Sequence, residues 1–210
     1  MANIIKIIDV SGIDTALQGI TYDGKNLWAV GYERKLIYQL DKSGKVISTI
    51  DSSSIDSGVF GVATDGKILI CTGTGNDKIY FVTKLGKILK SISIGTIEAN
   101  PGDITFDGKY LWMIAYTSGF IIQFDLSGNV INKLNTKLID VNPRGITSDN
   151  KYLWFTGSVG DSLYQLDKKG VLIQTIDVSG TDTAPRGITT DGKYFWFIGT
   201  TNQIIIQLTV

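Results

Sequence analysis

Five tandem units of equal length, four strand-like segments in each, and an opening segment that repeats the fourth strand of earlier units predict an all-β fold. The architecture they specify is a five-bladed β-propeller of five 42-residue four-stranded repeats. It forms one domain over residues 1–210, and the N-terminal strand at about 3–9 completes the last blade.

The period comes from two markers. Asp-Gly-Lys stands at 23–25, 65–67, 107–109 and 191–193, with Asp-Asn-Lys at 149–151, so successive aspartates are 42 residues apart. Gly44, Gly86, Gly128 and Gly170 keep the same spacing, and five units of 42 fill the 210 residues without an insertion. In the fifth unit the first strand is expected over Arg186 to Thr190, the second over Tyr194 to Gly199 and the third over Ile204 to Thr209. The fourth is read from the preceding unit, Val171 to Asp177. All are short, rich in β-branched and aromatic residues, and bounded by turn residues.

The turns carry their own chemistry. Asp-Gly between apolar runs marks a hairpin, because the turn needs positive φ. Asn150 replaces glycine once, and asparagine is the side chain that best tolerates that region. The turn before the fourth strand repeats glycine at 44, 86, 128 and 170, and its fifth copy would fall at Ala2, where the pattern breaks. Residues 3–9, Asn-Ile-Ile-Lys-Ile-Ile-Asp, align in phase with 171–177. A strand from one end of the chain thus closes the last sheet, leaving no bare edge there. A solenoid would instead need capping units, and none is seen.

Composition narrows the function. Lys plus Arg and Asp plus Glu are 20 each, a balance that argues against a nucleic-acid partner. Neither a signal peptide nor an 18-residue apolar run is seen, so no membrane span is expected, and a cytoplasmic protein or an excised domain fits. With no histidine and one cysteine, the commonest general base and zinc sites of His and Cys are absent, and no cofactor is expected. Cys71 shares its phase with Ala29, Met113, Phe155 and Phe197, the signature of a core thiol. Gly73-Thr74-Gly75-Asn76-Asp77 joins two strands and lacks the helix that a phosphate loop requires.

The run Pro-x-Gly-Ile-Thr-x-Asp-Gly-x-x-Leu-Trp followed by Ile-Tyr-Gln-Leu-Asp-x-x-Gly resembles NHL, virginiamycin B lyase-like and plant-type glutaminyl cyclotransferase propellers. The resemblance covers the whole chain and implies a propeller, the cyclotransferases being five-bladed. The lyase-like enzymes depend on a catalytic histidine that this chain lacks, and the longer cyclotransferases carry pocket-building loops absent here. No catalytic residue transfers from either family.

Three sets of positions remain as site candidates. Trp28, Trp112, Trp154 and Trp196 recur at one phase, with Ile70 in the fifth slot; they pack between blades or, alternatively, stack on sugars. Asp14, Asp56, Glu98, Asp140 and Asp182 recur in the loops between blades. They either hold Asx-type turns or form an acidic ring that attracts a cation or a basic partner. The symmetry-breaking positions lie at the start of the inner strands. Gln18, Phe60, Gly102, Arg144 and Arg186 occupy one phase, followed by Gly19, Gly61, Asp103, Gly145 and Gly187. Gln18, Phe60, Asp103, Arg144 and Arg186 should ring the channel mouth and bind a polar ligand, unless each arginine pairs with Asp140 or Asp182 four residues earlier. Tyr32 and Tyr116 flank two of the variable hairpin tips as either recognition or packing residues.

The expected function is a monomeric, non-enzymatic binding or scaffold module, lectin-like or protein-binding, that uses loops at the channel mouth. Its partner would be a small polar, anionic or glycan ligand, or a protein. The alternatives are a lyase or cyclotransferase-type enzyme and a structural, engineered or reconstructed repeat protein.

Overall fold

The computed structural model of the protein describes residues 3–210; Ala2, where the turn glycine is lost, lies outside the described residues. Strand β1 (Asn3–Asp9) comes first in the chain. Blade 1 holds β2 (Leu17–Tyr22), β3 (Leu27–Gly31), β4 (Leu36–Leu40) and β5 (Val46–Asp51). Blade 2 holds β6 (Val59–Thr64), β7 (Ile68–Gly73), β8 (Lys78–Thr83) and β9 (Ile88–Ser93). Blade 3 holds β10 (Pro101–Phe106), β11 (Leu111–Ala115), β12 (Phe120–Phe124) and β13 (Val130–Asn135). Blade 4 holds β14 (Pro143–Ser148), β15 (Leu153–Gly157), β16 (Ser162–Leu166) and β17 (Leu172–Asp177). Blade 5 holds β18 (Pro185–Thr190), β19 (Phe195–Gly199) and β20 (Ile204–Thr209), and β1 is its outer strand.

Each blade is a four-stranded antiparallel sheet in chain order, except the last, whose order is β1-β20-β19-β18. Asn3 pairs with Thr209 and Asp9 with Ile204, the closure expected from the sequence. The inner strands β2, β6, β10, β14 and β18 each lie beside the next, and β18 returns to β2, so the five sheets form a ring. Gly24, Gly66, Gly108 and Gly192 have φ between 85° and 93°, and Asn150 has 73°, as that turn requires. The turn is not held by glycine alone. Asp23 Oδ1 accepts the amides of Lys25 and Asn26, and Asp65, Asp107, Asp149 and Asp191 repeat this Asx arrangement.

The core lies between blades. Five hydrophobic clusters each combine residues of two neighbouring blades, one cluster per interface. The four tryptophans are buried there, and each indole N–H donates to the Asx aspartate of its own blade. Ile70 fills the fifth slot and is also buried. Cys71 is buried opposite Trp28, and burial pushes its thiol up to about 12. The outer strands differ: β5, β9, β13 and β17 are mostly exposed, and pairs such as Val46 and Ile47 face outward.

Among the polar links between blades, two kinds alternate with the sequence. Lys84 of blade 2 reaches Asp23 of blade 1 at 2.6 Å, Lys168 of blade 4 reaches Asp107 of blade 3 at 2.6 Å, and Lys42 of blade 1 reaches Asp191 of blade 5 at 2.7 Å. At the two remaining interfaces the lysine position holds Leu126 or Val210. There a threonine takes over: Thr72 Oγ1 donates to Gly102 O at 2.6 Å, and Thr156 Oγ1 donates to Arg186 O at 2.7 Å. Magnitudes assign the roles. A partly exposed lysine pair contributes about 0–1 kcal/mol. Burying a tryptophan contributes roughly 4–6 kcal/mol gross, from about 150–250 Å² at about 25 cal/mol per Å². Apolar packing therefore holds the ring, and the polar links set how one blade registers on the next.

Two outcomes are expected. Deleting residues 1–9 strips β20 of its partner and uncovers the apolar contacts of Ile8, so the urea midpoint should fall and size-exclusion chromatography should show association. Asp23 is held at about 2, because the hydrogen bonds from Asn26, Lys84, Trp28 and Lys25 outweigh the opposing effect of burial. Asp107, Asp191 and Asp56 are lowered likewise. Carboxylates lowered in the fold stabilise it above the unfolded value of about 4 and lose that contribution as pH falls through their folded values. Circular dichroism during acid titration should therefore show stability falling between about pH 4 and 2.

Candidate functional site

Each inner strand begins with a break in register: pairing shifts between Leu17 and Ile20, Val59 and Val62, Pro101 and Ile104, Pro143 and Ile146, and Pro185 and Ile188. The positions singled out by the sequence fall inside these bulges. A bulge re-aims a side chain out of the sheet face, and here Phe60 and Arg144 both lie against Tyr116 while Arg186 bonds to Gln18.

Below the mouth the axis is closed. A Cβ on Gly19 would lie 2.7 Å from Asp103 Oδ1 and 2.9 Å from Gly61 Cα, and one on Gly187 would lie 2.8 Å from Gly19 Cα. Gly61 and Gly145 are equally crowded. The fifth position carries Asp103, whose carboxylate fills the space the four glycines leave. Its oxygens accept the amides of Val62 in blade 2 at 3.3 Å and Ile146 in blade 4 at 3.1 Å. Burial raises its pKa well above the ordinary carboxylate range, although the amides of Ile146, Ile104 and Val62 pull the other way. Asp103 is 1% exposed, so it plugs the channel beneath the mouth and is not part of the mouth's surface, where the sequence had put it.

The mouth divides into two sectors. In blades 1 to 3 it is aromatic. Phe60 lies between Tyr32 and Tyr116, with ring centroids 6.4 and 6.3 Å away. Beside these rings lies a pocket of about 290 Å³ lined by Tyr32, Phe60, Thr74, Asn100, Pro101, Gly102, Tyr116 and Thr117. In blades 4 and 5 the mouth is cationic. The Arg144 guanidinium stacks on Tyr116 at 4.5 Å, and its Nε donates to Ser158 Oγ at 3.3 Å. Arg186 Nη1 donates to Gln18 Oε1 at 2.5 Å, while its Nε is buried without a partner. Burial and the neighbouring Arg144 charge lower the pKa of Arg186 from its ordinary value. The pairing of these arginines with Asp140 and Asp182 is not formed. The ion pairs among the described residues are the three Lys–Asp links between blades.

The five acids do other work. Asp14, Asp56, Glu98, Asp140 and Asp182 are all buried, one in each blade. Asp56 accepts the amides of Gly58 and Gly75, the Asn76 side-chain amide at 2.9 Å and the Tyr80 hydroxyl at 2.8 Å. Asp14, Asp140 and Asp182 likewise accept the amide two residues on and a hairpin-tip amide of the same blade. Glycine opposite is required, since a Cβ on Gly73 would lie 2.5 Å from Asp56 Cγ. Blade 3 changes both partners at once, with Glu98 facing a blade whose corresponding strand end is Ala115. No group of three or more acidic or cysteine side chains among the described residues could hold a metal ion.

Sequence reasoning singled out Gln18, Phe60, Arg144 and Arg186 but missed the pocket. The signal that could have found it is the aromatic pair Tyr32 and Tyr116 at matching positions of blades 1 and 3.

Five four-stranded blades closed into a ring with a plugged axis define a five-bladed β-propeller. Among solved structures it is similar to glutaminyl cyclase from Myxococcus xanthus, with 12% identity and a TM-score of 0.79 over 99% of this chain and 95% of that one. It is similar to a catalytically inactive virginiamycin B lyase from Staphylococcus aureus solved with quinupristin, with 21% identity and a TM-score of 0.60 over 96% and 68%. A chain of a nidogen/laminin complex is similar at 16% identity and a TM-score of 0.64 over 91% and 74%. At these identities the likeness concerns the fold. No family model and no curated protein matches the chain. No helix among the described residues is long and apolar enough to cross a membrane.

Replacing Asp56 by Ala should orphan the Tyr80 hydroxyl and two amides, at about 1–3 kcal/mol for each buried group left unpaired. The expected result is a lower urea midpoint with an unchanged m-value.

Proposed function

We propose that the protein is a non-enzymatic binding module whose site is the channel mouth, and that it takes a small anionic or polyhydroxyl ligand. The observation that carries this reading is the pair of guanidinium groups, Arg144 and Arg186, without a carboxylate partner, Arg144 lying over the ring of Tyr116, which lines an aromatic pocket. Arginines retained in a fold without a counter-charge are poised for one that arrives from outside. The bulged strand starts and the hairpin tips of blades 1 and 3 supply a concave, mostly apolar site with a few polar groups, the usual makeup of a small-molecule pocket.

Three features favour binding over catalysis. The chain has no histidine. Cys71 is buried between blades 1 and 2, away from the mouth. Asp103 is buried within the glycine layer. A nucleophile beside a base is therefore missing at the mouth. The lyase and the cyclase that share the fold keep the enzyme reading as the alternative.

The test is a thermal-shift screen against small anions and glycans. A ligand at about 100 times its dissociation constant adds about 2.7 kcal/mol. The shift should disappear in the variant Arg144→Ala with Arg186→Ala, which should still melt cooperatively. A shift of equal size in that variant would place binding elsewhere.

A further inference from the structure

Resting on the reading above and deepening it, we propose that the ligand class is a small carboxylate bearing an aromatic or similarly flat apolar group. The flat group would lie among Tyr32, Phe60 and Tyr116, and the carboxylate would be held by Arg144 with Arg186 behind it.

One residue joins the two sectors. Tyr116 lines the pocket and also carries the Arg144 guanidinium on its face at 4.5 Å. The ring contact and the bond from Nε to Ser158 Oγ hold the group in place. No hydrogen bond within the fold engages the two terminal nitrogens of Arg144 among the described residues. A carboxylate is the partner whose two oxygens match such a fork. Arg186 adds a second positive charge, satisfied only by the neutral Gln18 amide at Nη1 and unpaired at its buried Nε.

The pocket sets the rest of the ligand. Its walls are three aromatic rings, Pro101 and Gly102, with Thr74, Asn100 and Thr117 as the polar lining. An apolar cavity of about 150 Å³ already takes a benzene ring. About 290 Å³ therefore accommodates one ring and its substituent, but no large ligand. A bare inorganic anion would leave the aromatic walls unfilled. A neutral sugar could stack on them but would leave both guanidinium charges unpaired.

The experiment is a protein-observed NMR titration with phenylacetate, phenylacetamide, acetate, inorganic phosphate and maltose. Phenylacetate should bind, with phenylacetamide and acetate each at least about tenfold weaker. Arg144→Gln and Phe60→Ala should each weaken phenylacetate about tenfold while keeping a dispersed, folded spectrum. Phe60→Leu, which preserves packing but not the ring, is the control should the alanine variant unfold. Acetate or phosphate binding as tightly as phenylacetate overturns the aromatic part of the class and leaves the anion reading of the mouth standing. Phenylacetamide binding as tightly overturns the carboxylate. Binding of maltose alone overturns the class but keeps a polyhydroxyl site if Arg144→Ala with Arg186→Ala abolishes it. Failure of all five probes overturns the proposed class, while the thermal-shift screen separately decides whether the mouth binds anything.

Discussion

Five twisted sheets converge on one axis, and there the backbones of the inner strands approach so closely that side chains are excluded. Gly19, Gly61, Gly145 and Gly187 meet each other's strands at distances that no Cβ could occupy. The rest of the molecule is arranged around this crowding. The gap left in the glycine layer is filled by one carboxyl group, Asp103, bonded to amides of the blades on either side of its own. Because that layer closes the channel, the side chains one position earlier are confined to the mouth above it. Their register breaks from the sheet turn them toward the axis, so residues far apart in the chain become neighbours.

Packing between the blades makes the ring rigid enough to hold such a mouth. The large apolar residues bury themselves at the interfaces, and the tryptophans tie their indole N–H groups back to the turns of their own blades. Lysine links and threonine links share out the five interfaces without overlap. Where a lysine reaches the neighbouring turn, the threonine position holds Val30, Ile114 or Ile198; where threonine bonds across, the lysine position is apolar. A few cross-blade bonds per interface suffice to set register when packing supplies most of the free energy.

Much of this could be read in the chain. The period, the glycine and asparagine turns, and the pairing of residues 3–9 with the last blade follow from patterns local to each unit, and the structure reproduces them. Strand limits shifted by a residue, as at Pro185 and Phe195, where bulge and turn geometry decide the end of pairing. Gln18, Phe60, Arg144 and Arg186 also stood out, because symmetry-breaking residues show against a repeat. Three readings were not. Asp140 and Asp182 face Arg144 and Arg186 in sequence but spend their lone pairs on hairpin amides of their own blades, which leaves the arginines free. Asp103, assigned to the mouth, points into the axis because only there does the glycine layer leave a gap. The aromatic pocket needs Tyr32, Phe60 and Tyr116 from three different blades, and no spacing rule within one unit connects them.

The sequence by itself determined the repeat, the turns, the strands and the closure of the ring, since each depends on φ preferences and side-chain pattern over a few residues. Only the tertiary structure decided that the mouth is half aromatic and half cationic, and that its arginines lack carboxylate partners. The physical reason is that these properties arise between blades. They depend on which side chains the convergence at the axis brings face to face and on which acceptors have already been claimed within each blade.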